Sequence, residues 1–485
     1  MSDKAYNQTH LLVFLFIIFC FTKLLLLEHI PLINDEAYAL TISRNFSLSY
    51  FDHPPLMMWI SYFLHFFDIT ELYYFRIPHI TFGVLTSFFL YKITSIIYSK
   101  GAGVASAILY FVSPFFFLSG GLFIVPDASL NFSVAGATYI ATRLIFNKED
   151  TLYLWVALGI FLSIALLSKY QSYLFGMTLF IAFFVWRKNL VFSKRFNISL
   201  LISIFGFVPV LFWNIENNFD SFSFHGNRSS FDFDLLHIFN SLFAQLFFLL
   251  PTTGFLIIRG LIKDRNLFTK HEKFLILLAL PTIIIFNTFI LLSDNSFAHW
   301  SMVGWMLLIP LASNYLISMR SFKLQLIVLK TFTIFVTVFL IAIILIHSKT
   351  GFITRSYEDK IPSWDDTREL LDWGLIASTL TDTLQLDSVA TLNWYDSGQL
   401  ASALRYKHIV GVIGPNGNHF KYINVNERDF TALIDVQLFN SKNHIDLSES
   451  TLIYDYNVVK TIELPLFRGN QRYGILRVLY LKRID

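Results

Sequence analysis

Residues Lys273–Leu292 read KFLILLALPTIIIFNTFILL, and after the opening lysine the run carries no charge. A helix crossing a bilayer needs roughly 20 mostly apolar residues, and this run supplies them. The same signature recurs outward in both directions. By this rule about eleven segments qualify, at 11–32, 72–97, 102–119, 129–146, 152–168, 172–187, 196–213, 238–262, 273–292, 299–318 and 323–347. The fifth and sixth are short and close together. Composition agrees: of 485 residues, 55% are hydrophobic and 15% charged, and 54 are Phe. A soluble domain is about 25% charged, so this chain has too few charges to cover a water-facing surface. The expected class is an integral membrane, all-α protein. The first run, about 20 residues long through Leu32, lacks a small-residue cleavage site and is followed by more membrane. It reads as a retained first span rather than a signal peptide.

Net charge is +3 and no basic stripe stands out, so no nucleic-acid partner is expected. The one cysteine, Cys20, makes neither an intrachain disulfide nor a multi-Cys metal site. Basic residues collect on the cytoplasmic side of membrane proteins. Here Lys4, Lys100, Arg187, Lys188, Lys194, Arg195, Arg259, Lys263, Arg265, Lys270, Lys273, Arg320 and Lys323 all lie in loops of one face or at the span ends beside them. The opposite face receives 33–71, 120–128, 214–237, 293–298 and the polar remainder beyond Ser348. The expected organisation is a transmembrane domain over 1–347 and a soluble α/β domain over 348–485. Within the latter, 365–386 carries apolar positions at helical spacing. Ser388–Leu392, His408–Ile413, Ser450–Tyr454, Val458–Leu464 and Tyr473–Leu481 read as strands.

The outer loops hold the chemistry. The first reads Ile33-Asn34-Asp35-Glu36-Ala37-Tyr38, then Tyr50-Phe51-Asp52-His53-Pro54-Pro55-Leu56. Short amphipathic stretches near 36–46 and 55–67 look like helices lying along the membrane surface. Asn34 or Asp35 is a candidate cap for the first, and Pro54 and Pro55 suit the first turn of the second. Asp127, in Val125-Pro126-Asp127-Ala128, is a candidate cap for span four. Yet Asp35, Glu36, Asp52 and Asp127 all sit at ends of apolar segments on the same face. A carboxylate near lipid is costly, roughly 2.5–3.5 kcal/mol at a helix centre and less at its edge. Such groups usually line a polar cavity, where they suit general-base chemistry, metal binding or a proton path.

The two motifs of this loop, with Trp59, resemble the first outer loop of bacterial GT-C glycosyltransferases of the protein-mannosyltransferase and lipid A aminoarabinose-transferase superfamily. Pro126-Asp127-Ala128 is similar to that family's second acidic loop. Leu167-Ser168-Lys169-Tyr170 resembles its LLSKY stretch. Trp213-Asn214 through Phe224 resembles its long fourth outer loop, and His299-Trp300 through Pro310 its NWPAPGY…LP stretch. In the C-terminal domain, Tyr395-Asp396, Gln399-Leu400-Ala401 and Tyr406 are similar to the outer domain of bacterial members. The order matches across the whole membrane part.

The resemblance implies an enzyme of the bacterial inner membrane with its active site and C-terminal domain in the periplasm. It would transfer a sugar from a polyprenyl phosphate, with inversion, to lipid A, another glycan or a protein. Asp35 is then the base that deprotonates an acceptor hydroxyl, or it only orients an acceptor that is already an ionised phosphate. Glu36 positions the acceptor or holds the helix start, and Asp127 binds sugar or acceptor. The leaving phosphate needs cations, and His53, Arg76, Lys169 and Arg228 are candidates, with His299 a further substrate contact. His53 stands where the aminoarabinose transferases have Lys in Glu-Lys-Pro-Pro. Arg76 alternatively snorkels to the headgroups. No cofactor is required; Asp52 and His225 match a structural zinc pair, although His225 is also read as an exposed loop histidine. The rival readings are a lipid-linked sugar flippase and a structural assembly subunit.

Overall fold

The computed structural model describes residues 14, 16–67, 69, 71–226, 234–262, 268–293, 296–319, 338–339, 342–343, 345–347, 349–352, 370–423, 430–438, 452–453, 456–468 and 471–484. It divides into two compact units. One comprises Met1–Leu25, Ser47–Met57 and Arg76–Val338; the other comprises Leu26–Phe46, Met58–Phe75 and Phe339–Asp485.

The first unit is helical. Among the described residues four helices are long and apolar enough to cross a membrane: Leu72–Ile97, Lys194–Glu216, Lys270–Leu292 and Ala298–Ser318. They coincide with the expected segments 72–97, 196–213, 273–292 and 299–318. Phe16–Leu26, Lys100–Val112, Leu152–Ser168 and Ser172–Trp186 are apolar but shorter. Two expected spans are broken. Segment 238–262 forms Leu235–Leu249 and Pro251–Leu261, bent by 95°. The residue before a proline is disfavoured in the helical region, and Leu250 leaves it altogether, at φ 65°. Segment 102–119 breaks at Ser113-Pro114, where Ser113 is extended and Pro114 starts the short helix Pro114–Leu118. The last expected span, 323–347, lies largely outside the described residues.

Small residues let these helices approach. A Cβ on Gly206 would fall 2.3 Å from the Ser163 carbonyl oxygen, so Lys194–Glu216 and Leu152–Ser168 pack backbone to backbone. Such contacts drive helix association where the solvent is lipid. Outward faces are apolar, with Phe205, Leu201, Phe180 and Phe184 exposed.

The second unit is α/β. Strands β1 (Ser388–Asn393), β2 (Ile409–Asn416), β3 (Ala432–Leu438), β4 (Leu452–Ile453), β5 (Tyr456–Arg468) and β6 (Gln471–Arg483) form one sheet in the order β2-β1-β3-β6-β5-β4. β1 runs parallel to β2 and β3, and the remaining pairs are antiparallel. The helix Trp394–Ala403 crosses from β1 to β2, as a parallel connection requires. Val389, Leu400, Val410, Ile434, Leu476 and Val478 share the core. The helical periodicity at 365–386 yields only Trp373–Ser378 and a wider turn over Thr379–Thr383; 365–369 lie outside the described residues. The stretches expected along the membrane surface form Asn34–Ile42 and Leu56–Leu64. Residues Glu36 to Leu40 are all buried, so the first of these is more enclosed than an interfacial helix.

Candidate functional site

Two helix ends in the first unit bring opposite charges together. Val125 is extended and Pro126 occupies the first position of the helix Pro126–Thr142, where its missing N–H costs nothing. Asp127 therefore sits second in the helix rather than at the cap, and its side chain turns elsewhere. Lys169 ends Leu152–Ser168 in an extended conformation. Its Nζ donates to Asp127 Oδ1 at 2.9 Å, with 10% and 11% of the two side chains exposed. A charge-assisted bond this shielded is stronger than its surface counterpart.

Tyr170 extends the cluster. Its hydroxyl is 2.7 Å from Ser221 Oγ, and its ring meets that of His225 edge-on at 4.9 Å. Nε2–H of His225 donates to the Asp52 carbonyl at 3.0 Å. Burial pushes the Tyr170 phenol above its ordinary value; bonds to Ser221 and Asn214 oppose this, and the Asp52 charge adds to it. Asp52, Asp127 and His225 are thus gathered around Lys169-Tyr170, a motif whose partners the sequence does not show.

The remaining candidates of this unit make contacts of their own. Arg76 is fully buried at the head of Ile77–Ile97, and its guanidinium lies 5.6 Å from the Phe123 ring centre. It does not snorkel. The His53 carbonyl accepts from the Tyr50 N–H at 3.3 Å, closing a turn before Pro54 and Pro55. His299 stacks on Phe115 and Phe297 in the turn Ala298–Ser301. Arg228 lies outside the described residues. Among the described residues no group of three or more His, Cys, Asp or Glu is placed to hold a metal. His225 directs Nε2 at a backbone oxygen, and two protein donors are too few for a structural zinc.

The second unit holds the other acidic pair. Asp35 is exposed and Glu36 fully buried at the start of Asn34–Ile42. Glu36 Oε2 accepts the Ile33 N–H at 3.1 Å, so this carboxylate holds the helix start. Asn34 is not the cap; its Oδ1 accepts from Gln399 Nε2 at 2.9 Å, which also donates to the Leu32 carbonyl at 2.9 Å. Trp394–Ala403 lies directly against this helix. The Thr41 hydroxyl reaches the Gly398 carbonyl at 3.3 Å, and the Tyr38 hydroxyl accepts the His419 N–H at 3.0 Å. Nothing in the sequence ties the C-terminal domain to Asp35; in the fold it supports the helix that carries Asp35. Lys23 is a further residue of note, since a lone charge within an apolar run is itself a signal.

Residues 52–213 match the family model of dolichyl-phosphate-mannose-protein mannosyltransferase. That stretch contains Asp52, His53, Arg76, Asp127 and Lys169, and stops short of Asp35, Glu36, His225 and His299. The matched stretch covers about a third of the chain, and the helical unit with its small sheet unit gives the fold that the chain shares with solved structures. Among solved structures the chain is similar to ArnT from Cupriavidus metallidurans bound to undecaprenyl phosphate, with a TM-score of 0.64, 12% identity and 98% of each chain covered. The apo form of that protein gives 0.60, again at 12% identity and 98% coverage of both chains. No curated protein matches by sequence.

Proposed function

We propose that this chain transfers a sugar from a polyprenyl-phosphate donor, with inversion, to lipid A or another envelope glycolipid at the periplasmic face of a bacterial inner membrane. The observation that carries the reading is the shielded Lys169–Asp127 pair, set in a fold whose similar solved structure is ArnT bound to undecaprenyl phosphate. The proposal includes about eleven spans, with 1–347 as membrane domain and 348–485 as periplasmic domain.

An ammonium has three protons to donate. Lys169 directs one to Asp127 and offers the others to the leaving phosphate, with Arg76, His53, His299 and Arg228 adding positive or donor character. Asp127 holds Lys169 and binds sugar hydroxyls. Asp35, the exposed acid, takes the proton of the acceptor hydroxyl. The acceptor oxygen then attacks the anomeric carbon from the face opposite the phosphate. The bond from that carbon to the phosphate oxygen breaks, its electron pair leaves with the polyprenyl phosphate, and the configuration inverts. Glu36 holds the helix on which Asp35 sits. An acceptor that is already an ionised phosphate needs no base, and Asp35 then orients it. Membrane lipid is the solvent for the carrier. No cofactor enters, and no step passes through a metal at Asp52 and His225.

A protein hydroxyl as acceptor is the second reading, and the description of the family matched over 52–213 favours it. Purified chain in detergent, given a polyprenyl-phosphate sugar and either a glycolipid or a peptide acceptor, separates the two. Removing a positioned base costs about 10²–10⁴-fold in rate, so Asp35→Asn is expected to fall in that range with a hydroxyl acceptor. An unchanged rate would remove Asp35 from the chemistry.

A further inference from the structure

The helix Phe16–Leu26 turns Ile17, Phe21, Leu24 and Leu25 outward and its one cation inward: Lys23 is fully buried. The Lys23 ammonium donates to the Gly121 carbonyl at 2.6 Å and lies 4.9 Å from the Phe117 ring centre. Among the described residues no carboxylate pairs with it. Removing an ammonium from water without a counter-ion carries a heavy desolvation cost, and an apolar side chain would fill the same place without it. Packing alone therefore does not account for a lysine here.

What the ammonium holds is the segment 119–125, which leads directly into Pro126-Asp127. That segment is fixed at successive points. The Tyr110 hydroxyl donates to the Gly120 carbonyl at 2.9 Å. Lys23 takes the next carbonyl. Arg76 lies over Phe123. Gly121 packs on Gly83 so closely that a Cβ on Gly83 would stand 2.7 Å from the Gly121 Cα, and a Cβ on Gly121 would stand 2.6 Å from Lys23 Nζ.

We propose that Lys23 is a positioning residue: by fixing the Gly120-Gly121 turn it sets the Asp127 carboxylate against the Lys169 ammonium. This rests on the role proposed above for Asp127, and the test is independent of it. A water-soluble carbodiimide activates a carboxyl, and an amine in contact with it then attacks the acyl carbon, forming an amide as the urea departs with the carboxyl oxygen. Applied to the purified full chain in detergent and read by peptide mass spectrometry, it should join Asp127 to Lys169. In Lys23→Met the yield of that cross-link is expected to drop about tenfold, since misplacement by an ångström has effects of this order and larger, while thermal stability holds or rises. Gly121→Ala, which displaces the ammonium, should lower the yield likewise. Undiminished cross-linking in both variants would overturn the proposal. So would a loss of thermal stability in Lys23→Met together with normal cross-linking in Gly121→Ala, since the lysine would then only hold the bundle. Reduced cross-linking in a chain that transfers no sugar would leave Lys23 as assigned and reject the glycosyltransferase reading instead.

Discussion

Asp127 and Lys169 stand 42 residues apart in sequence and 2.9 Å apart in space. Each was legible as a charged residue at the end of an apolar run; their pairing was not, because nothing local links two helix ends so distant in the chain. The pair makes a specific demand on stability. Losing one partner of a buried pair strands the other charge, typically at 3–5 kcal/mol, and the residual exposure of about a tenth on each side chain reduces that. Asp127→Asn is therefore expected to cost about 2 kcal/mol in denaturant unfolding in detergent, and adding Lys169→Met should recover at least half of it. Equal, additive losses would show that the two groups do not depend on each other. A second expectation concerns His419, whose imidazole is buried and pushed down to about 3 by that burial. The unfolded chain takes up this proton near pH 6.5 and the folded chain only near 3. The contribution is thus complete above about pH 6.5 and is lost as pH falls toward 3. The protection factors of β2 and β3 amides, which correct for the intrinsic exchange rate at each pH, should fall on acidification through that window, and more shallowly in His419→Gln.

At the level of elements, the contact between Asn34–Ile42 and Trp394–Ala403 is set by Gly398. A Cβ there would stand 2.7 Å from both the N and the Cα of Tyr38. Backbone cannot yield as a side-chain tip can, so Gly398→Ala should destabilise the sheet-bearing unit by about 1–3 kcal/mol, seen as earlier unfolding or proteolysis of the full chain. Wild-type resistance would mean that the two helices have room to spare. Neither this helix nor β3 stood out in the sequence. Trp394–Ala403 carries Asp396, Ser397 and Gly398 in its first half, poor helix formers in its interior; the Asn393 side chain, accepting from the Asp396 N–H at 2.8 Å, starts it. β3 hides two polar residues, Asp435 and Gln437, which satisfy one another at 2.8 Å and so sit inside a central strand. The break at Leu250-Pro251 was carried by the proline, yet hydropathy summed across 238–262 does not register a change of direction.

For the whole molecule, hydropathy located most of the apolar segments and missed where helices end. Ser172–Trp186 has 15 residues, about 22 Å at 1.5 Å per residue, against roughly 30 Å of hydrocarbon; length in sequence and length of helix part company at Lys169-Tyr170. The proposed orientation is open to labelling because Cys20 is the chain's only cysteine. With Cys20 replaced by Ser, a cysteine at Asn189 should react with a membrane-impermeant maleimide only after the inner membrane is opened. One at Asn45 should react once the periplasm is reached. The reverse pattern would place the basic loops outside and end the periplasmic reading. The account's central claim is that the shielded Asp127–Lys169 pair serves sugar transfer from a polyprenyl phosphate. Its most direct test is the initial rate of that transfer by purified chain, wild type beside Lys169→Met. Removing one preorganised donor from a developing anion costs about 10²–10³-fold, and a loss of that size in a variant that still folds is the expected result. A rate equal to wild type would contradict the claim.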